Sequence, residues 1–255
     1  MGLDRRKFFK IASLGTVAGV AGKRSMEALA RGDAHSSATE GGKRWAMVVD
    51  LTKCKTNEGC RDCIEACHVT HNVPNFDNPK DEVKWIWTEP YEHTFPGQEN
   101  EHMKESLAHS DVLVLCNHCD NPPCCRVCPT QATWKRESDG IVMMDWHRCI
   151  GCRYCVAACP YWSRSFNWFD PRPVLEELNE EFPTRSRGVV EKCTFCEKRL
   201  AEGKQPACVE ACPENALIFG DLEDPHSEIR EILRTRFSIR RKPNLGTQPQ
   251  VYYIV

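Results

Sequence analysis

Residues 149–160 read C-I-G-C-R-Y-C-V-A-A-C-P, which is the spacing C-x2-C-x2-C-x3-C-P. Three thiolates this close together on one tight loop can bind three corners of a cubane iron–sulfur cluster. Gly151 suits the tight turn and lets the backbone approach the sulfurs closely. Cys159 follows on a short helix and points away from the loop. The spacing therefore predicts that Cys159 binds a different cluster, whose own three-cysteine loop comes from elsewhere in the chain.

Cysteines form three further quartets of related spacing. The chain has 17 cysteines in 255 residues, and all but Cys125 fall into four quartets that each end in C-x3-C. The quartets are Cys54, Cys60, Cys63 and Cys67; Cys116, Cys119, Cys124 and Cys128; Cys149, Cys152, Cys155 and Cys159; and Cys193, Cys196, Cys208 and Cys212. Insertions at 55–59, 120–123 and 197–207 lengthen the loops but keep three cysteines plus one. We therefore predict four [4Fe–4S] clusters held by these sixteen cysteines.

Disulfides and zinc are the other common uses of so many cysteines. Disulfides form in oxidising compartments, but neighbouring cysteines in repeated C-x2-C pairs would compete for one partner. Structural zinc suits C-x2-C pairs taken two at a time, yet it does not explain C-x2-C-x2-C-x3-C-P. An exported zinc-binding interaction module stays the alternative to an iron–sulfur protein.

Composition and motifs exclude several other function classes. The formal net charge is −2, so no global basic field indicates nucleic-acid binding. No GxGxxG or GxxxxGK(S/T) loop for a nucleotide occurs in the chain. Four complete quartets leave no open iron for a substrate. We therefore predict an electron-transfer protein with no catalytic residues of its own, and not an enzyme.

The sequence around the quartets predicts the fold. Short β-rich runs, such as 112–115, precede cysteine loops, and short helical patterns, such as 155–158, end them. Repetition of strand, cluster loop and short helix is the ferredoxin plan. We predict an α+β fold of two pseudo-symmetric bacterial-ferredoxin-like modules, each with two [4Fe–4S] clusters. Within a domain over 44–220, module one takes 44–67 plus 188–220, and module two takes 111–162.

The N-terminus has the pattern of a targeting segment. Arg5 and Arg6 precede a short, mildly apolar stretch at 11–22, and a small-x-small pattern follows at 28–30. The paired arginines resemble a twin-arginine signal, which is an address read by a receptor. A basic helix without a targeting role is the alternative. We predict a signal peptide over 1–30, export to the periplasm in the folded state, and no transmembrane helix in the mature chain, because no later stretch approaches about 18 apolar residues.

Predictions can also be made for two connections between the quartets. The insertion at 68–110 carries Trp85, Trp87 and Tyr91 among Pro, Asn and Gly residues. We expect an irregular, partner-facing loop there, with a cluster cover as the alternative. The connection at 170–187 is charged and is expected to be exposed.

The C-terminal extension, 221–255, contains no cysteine. Its basic run at 240–242 is expected to be a solvated charged face, with a docking patch as the alternative. The apolar end at 251–255 is expected to be a final strand or a partner-binding tail.

The motifs together resemble the four-cluster ferredoxin subunits of molybdopterin and membrane quinone oxidoreductases, such as dimethyl sulfoxide, polysulfide and nitrite reductases. The residues that carry this resemblance are C-N-H-C-D-N-P-P-C at 116–124, C-P-T at 128–130, the run at 149–160, and K-C-T-F-C at 192–196. The resemblance implies an electron-transfer subunit of a membrane-bound, quinone-linked respiratory complex. Its partners would be an integral-membrane quinol-interacting subunit and other redox subunits, a multihaem cytochrome c among them.

A narrower resemblance concerns sulfur metabolism. The N-terminal signal, the spacing of the first quartet and the Trp-rich insertion are similar to those of exported ferredoxin subunits in sulfite-reduction-linked membrane complexes. This resemblance implies that the respiratory complex is tied to sulfur or sulfite metabolism.

The resemblance also implies which cysteines share a cluster. Three cysteines of each quartet would join the last cysteine of another quartet. The implied sets are Cys54, Cys60, Cys63 with Cys212; Cys193, Cys196, Cys208 with Cys67; Cys116, Cys119, Cys124 with Cys159; and Cys149, Cys152, Cys155 with Cys128.

Other residues near the quartets are expected not to be cluster ligands. Cys125 is interpreted as a small packing residue. Because every quartet is complete, His118 and His147 are expected to pack or to form hydrogen bonds. Nearby cations can raise a cluster's reduction potential or can be ordinary surface charges. These cations are Arg126, Arg148, Arg153, Lys192 and Lys198.

Overall fold

The structure, a computed structural model, describes residues 42–98, 101–175 and 177–255. The predicted signal peptide over 1–30 lies outside these residues. The strands are β1 (Trp45–Asp50), β2 (Ile86–Pro90), β3 (Asp111–Leu115), β4 (Thr133–Lys135), β5 (Val142–Met144), β6 (Ser165–Phe166), β7 (Val190–Glu191), β8 (Leu217–Asp221), β9 (Ser238–Ile239) and β10 (Val251–Ile254). The helices are α1 (Asp62–His71), α2 (Tyr91–Thr94), α3 (Glu105–Ala108), α4 (Pro123–Arg126), α5 (Tyr154–Ala158), α6 (Glu197–Ala201), α7 (Ala207–Glu210) and α8 (Glu228–Thr235). Short 3-10 turns lie at Thr56–Glu58, Pro79–Asp81, Arg172–Val174 and Pro243–Leu245. This mixture of helices and strands confirms the α+β prediction.

A four-stranded sheet of order β8-β1-β10-β9 joins the two ends of the described chain. β1 runs antiparallel to β8 and parallel to β10, with Val48 opposite both Ile218 and Tyr252. Of the two expectations for residues 251–255, the structure therefore shows the final strand and not a tail. Alternate residues of a strand face opposite sides of a sheet, so Val48 packs towards α8 while Met47 packs into the core that contains the helix α1.

The insertion is more regular than its composition suggests. Its strand β2 pairs antiparallel with β3, over the register from Ile86–Leu115 to Pro90–Asp111. Trp85, Trp87 and Tyr91 are all buried. These three aromatic side chains belong to the core, so they do not form the expected partner-facing surface. Sequence composition missed this because the strand's partner is β3, outside the insertion.

The cysteine-bearing helices pack in two pairs. Helix α1, with Cys63 and Cys67, packs against α7, which carries Cys208. Helix α4, with Cys124, packs against α5, which carries Cys155. The first quartet thus meets the fourth, and the second meets the third.

Two charged segments that were expected to be exposed contribute to the core. Arg185, in the 170–187 connection, and Arg241, in the basic run, are 2% and 1% exposed. Arg185 forms an ion pair with Glu191 at 2.6 Å, and Arg241 forms one with Glu89 at 3.3 Å. The expectation of solvated faces was wrong at these positions because a charge can be buried when it is paired, and the partners are distant in sequence.

Candidate iron–sulfur centres

The structure gathers the sixteen quartet cysteines into four groups that mix the quartets. Site 1 comprises Cys54, Cys60, Cys63 and Cys212, which line one cavity. Site 2 comprises Cys67, Cys193, Cys196 and Cys208, and site 3 comprises Cys116, Cys119, Cys124 and Cys159; within each set the thiols lie near enough to raise the pKa of a neighbour. Site 4 comprises Cys128, Cys149, Cys152 and Cys155, which line another cavity. Each site takes three cysteines from one quartet and the last cysteine of another.

Tight backbone turns shape the cysteine loops. Gly151 has φ 67°, a left-handed conformation that glycine adopts readily and other residues rarely do. A Cβ on Gly151 would lie 2.4 Å from the carbonyl oxygen of Gly188. The loop that presents Cys149 and Cys152 therefore needs glycine for two reasons: the turn itself, and the close approach of the chain before β7.

Burial determines the chemistry of the thiols. It raises the pKa of Cys63 to about 12, with a further contribution from the negative charges of Cys54, Cys212 and Cys60. Burial is also the first cause that raises the pKa of Cys196, to about 11. Buried sulfurs are costly as thiolates unless positive charge joins them. Bound iron would supply this charge, so four sulfur donors gathered at one site fit a [4Fe–4S] cluster.

The four sites follow one another through the molecule in the order 1-2-3-4. Between neighbouring sites, a thiol of one site raises the pKa of a thiol in the other: Cys63 raises that of Cys67, Cys116 that of Cys193, and Cys124 that of Cys155. All four cysteines of site 2 are buried, whereas sites 1 and 4 each have three partly exposed cysteines. The two ends of the series are thus nearest the surface.

Two buried cations lie between the sites. Lys192 is fully buried, and its ammonium donates hydrogen bonds to the carbonyls of Val142 and Cys193. Arg164 is 4% exposed and donates to the Cys124 sulfur at 3.1 Å. Sequence reasoning missed Arg164, because it stands outside every quartet and lies 40 residues from Cys124. The other nearby cations, Arg126, Arg148, Arg153 and Lys198, are exposed.

The histidines and the unassigned cysteine have separate environments. His118 is buried, stacks on Phe195 at 3.7 Å between ring centroids, and accepts a hydrogen bond from the Val142 backbone N–H. Burial holds the pKa of His118 well below its usual value, so the ring is a neutral packing group. His147 is exposed. Cys125 is half-buried and lies outside the four sites, with its sulfur 3.9 Å from the Thr133 hydroxyl.

The grouping of the thiols differs from that of a single-ion site. In the described part of the chain, no three His, Cys, Asp or Glu side chains converge as the ligands of one metal ion would. At sites 1 and 4 the four thiols instead line one cavity. This arrangement suits a cluster of several atoms better than one zinc ion.

Length and polarity separate the described helices from membrane spans. Across 42–98, 101–175 and 177–255, no helix is both long enough and apolar enough to cross a bilayer.

Comparisons with known proteins also indicate an iron–sulfur protein. Two family models, both described as a 4Fe–4S dicluster domain, match residues 112–171 and 148–217. The Hdr-like menaquinol oxidoreductase iron-sulfur subunit 1 of Archaeoglobus fulgidus is 43% identical over 231 residues, which cover 83% of each chain. The menaquinone reductase iron-sulfur cluster-binding subunit of Nitratidesulfovibrio vulgaris is 38% identical over 238 residues, which cover 83% of this chain and 88% of the relative. A tetrathionate reductase subunit of Salmonella typhimurium is 40% identical over 215 residues, which cover 83% of this chain and 72% of the relative.

Proposed function

Because this chain belongs to the 4Fe–4S dicluster ferredoxin subunits of oxidoreductase complexes, we propose that it carries electrons in a membrane-bound, quinone-linked respiratory oxidoreductase. Its two dicluster domains give four [4Fe–4S] clusters, and the subunit is not itself catalytic. Bound clusters supply one-electron carriers. The observation that carries the proposal is the series of four cysteine sites, with buried sites in the middle and partly exposed sites at both ends.

We propose that the four cysteines of each of sites 1 to 4 are the ligands of one [4Fe–4S] cluster. Each site brings together cysteines from two quartets, so each cluster would join two distant segments of the chain. The cysteines of site 2 are all buried, whereas sites 1 and 4 each have three partly exposed cysteines, so we propose that partners exchange electrons with sites 1 and 4. The histidines are left out of the ligand sets because each site already has four sulfurs.

The face around site 4 is the proposed contact for the integral-membrane quinol-interacting subunit. Ile150 and Tyr154, which flank site-4 cysteines, are 66% and 62% exposed. Trp168 is also exposed, and the Arg153 guanidinium lies 4.8 Å from the centre of its ring. Exposed aromatic side chains with arginine are typical of interface cores and of protein surfaces near a bilayer. Another redox subunit, a multihaem cytochrome c among the candidates, would then contact the site 1 end.

Export and metabolic setting complete the proposal. The Arg5–Arg6 motif supports export by the twin-arginine route to the periplasm, where the protein would be held at the membrane by its partners. The spacing of the first quartet and the Trp-rich insertion support a role in sulfur metabolism, as the exported ferredoxin subunit, DsrO, of the DsrMKJOP complex. The similarity to a tetrathionate reductase subunit is consistent with sulfur chemistry.

Metal analysis tests the cofactor assignment. Anaerobically prepared protein should contain about sixteen irons and as many acid-labile sulfides, four of each per cubane. Stoichiometric zinc without sulfide would overturn the proposal in favour of a zinc-binding interaction module.

Two alanine variants test the crossed ligand sets. Cys159→Ala should disturb the cluster of Cys116, Cys119 and Cys124, and Cys128→Ala should disturb the cluster of Cys149, Cys152 and Cys155. Spectroscopic redox titration of both variants distinguishes these losses. If each variant instead loses the cluster of its own sequence quartet, the ligand sets are uncrossed and the assignment is wrong.

Purification of the native complex tests the partners. Affinity capture of this chain from solubilised membranes should recover an integral-membrane subunit whose quinol reduces the clusters. Recovery of the chain alone from the membrane fraction would contradict a membrane-complex role.

A further inference from the structure

Four cationic side chains are buried in the described part of the chain: Arg164, Arg185, Lys192 and Arg241. Arg185 and Arg241 each have a glutamate partner within 3.3 Å. Arg164 and Lys192 form no ion pair with a carboxylate among the described residues, and both lie against proposed cluster ligands. A buried cation without a counter-charge is strongly unfavourable, so the negative charge that these two residues need must come from the sites themselves.

Lys192 lies at the boundary between sites 2 and 3. Its ammonium donates to the Cys193 carbonyl at 2.7 Å and to the Val142 carbonyl. The Val142 N–H in turn donates to His118, which lies between the cysteines Cys116 and Cys119 in sequence.

Arg164 lies at the boundary between sites 3 and 4. One guanidinium nitrogen donates both to the Cys124 sulfur at 3.1 Å and to the Thr133 hydroxyl at 2.8 Å. The other terminal nitrogen of the Arg164 guanidinium lies 3.8 Å from the Met144 sulfur. Thr133 and Met144 both line the cavity that the site 4 cysteines surround. Both cations therefore lie close to site 3.

We propose that Lys192 and Arg164 set the reduction potentials of the clusters on either side of them, and that their effects add at site 3. The inference deepens the proposed function and depends on its ligand sets. Each electron that a cluster accepts makes that cluster more negative. A fixed, buried cation stabilises this reduced form more than the oxidised form and so raises the potential. Solvent screens an exposed cation much more strongly, so the surface lysines and arginines have little effect.

Glutamine variants separate charge from hydrogen bonding, because glutamine keeps a donor but carries no charge. Lys192→Gln should lower the potentials of sites 2 and 3, and Arg164→Gln should lower those of sites 3 and 4. Neither change should move site 1. Loss of the charge should make the reduced form of the cluster at least about tenfold less stable relative to the oxidised form. This corresponds to a fall of about 59 mV in the reduction potential of a one-electron carrier. The measurement is an anaerobic redox titration followed by electron paramagnetic resonance, with signals assigned through the Cys159→Ala and Cys128→Ala proteins.

Two control variants make the result decisive. Lys198→Gln removes an exposed cation from the same region and should leave all four potentials unchanged, and Lys192→Arg keeps the charge and should keep the parent potentials. Unchanged potentials in both glutamine variants would overturn the inference, as would equal shifts in all four clusters. If neither glutamine variant assembles clusters while Lys192→Arg does, the cations have a folding role and the inference also fails. The iron content of the parent protein separates these outcomes from failure of the proposed function, because four clusters in the parent keep that proposal intact.

Discussion

Replacement of Arg185 by methionine should be among the most destabilising single changes outside the cysteines. The Arg185 guanidinium pairs with Glu191 at 2.6 Å, and both side chains are completely buried. It also donates to the carbonyls of His71 and Asn72, at the end of the helix that carries Cys67. Methionine fills similar space but leaves the Glu191 carboxylate buried without a cation.

The magnitude follows from this burial. Removal of one partner from a buried ion pair costs about 3–5 kcal/mol, because the other charge is left uncompensated. For a chain of this size, about 1 kcal/mol corresponds to roughly 2–4 °C in Tm, so the expected loss is on the order of 10 °C. Thermal unfolding of the cluster-loaded protein, followed anaerobically by far-UV circular dichroism at one fixed scan rate, measures it.

Two further variants complete the experiment. Arg172→Met removes an exposed cation that pairs with Asp170 at 2.5 Å, and its Tm should match the parent because solvent screens this pair. Glu191→Gln, combined with Arg185→Met, removes the stranded charge and keeps an acceptor for the Trp85 N–H, which lies 3.0 Å from Glu191. The double variant should therefore be more stable than Arg185→Met alone. If Arg185→Met unfolds at the same temperature as the Arg172→Met control, or if the double variant is the least stable, the reasoning is refuted.

Three other predictions concern the loops, the metal and the export signal. Gly151→Ala should lower the iron content from about sixteen towards about twelve atoms per chain, by loss of the site 4 cluster. Gly203→Ala, where a Cβ meets open space, should keep the iron content of the parent protein. Equal iron content in the two variants would contradict the argument. Anaerobic removal of iron with a chelator should lower Tm and helical signal sharply, because each cluster, in the proposed ligand sets, would join two distant segments; an unchanged melting curve would show that the fold is stable without metal. Replacement of Arg5 and Arg6 together by lysine should retain the precursor inside the cell, measured by immunoblots of cell fractions, and unchanged export would remove the twin-arginine assignment.

Local sequence predicted the cofactor and the general plan of the fold. The run at 149–160 places its cysteines two or three residues apart, so the geometry of a single loop and helix is enough to indicate an iron–sulfur cluster. The α+β class and the short helix after each cysteine loop followed from the same local patterns. Which cysteines meet across quartets came from resemblance to known proteins, since spacing shows only that Cys159 leaves its own loop.

Only the tertiary structure decided which charged and aromatic residues are buried. Trp85 reaches the core because β2 pairs with β3, and the last strand lies beside β1, about two hundred residues away in sequence. Arg185 and Arg241 look like surface residues in sequence, yet each is buried against a glutamate. Arg164 and Lys192 acquire their place between the sites through contacts with Cys124 and with the Val142 carbonyl, which lie 40 and 50 residues away. Burial of a charge depends on a partner that folding supplies, so the sequence indicated the candidate ligands, while the packing decided which cations surround them.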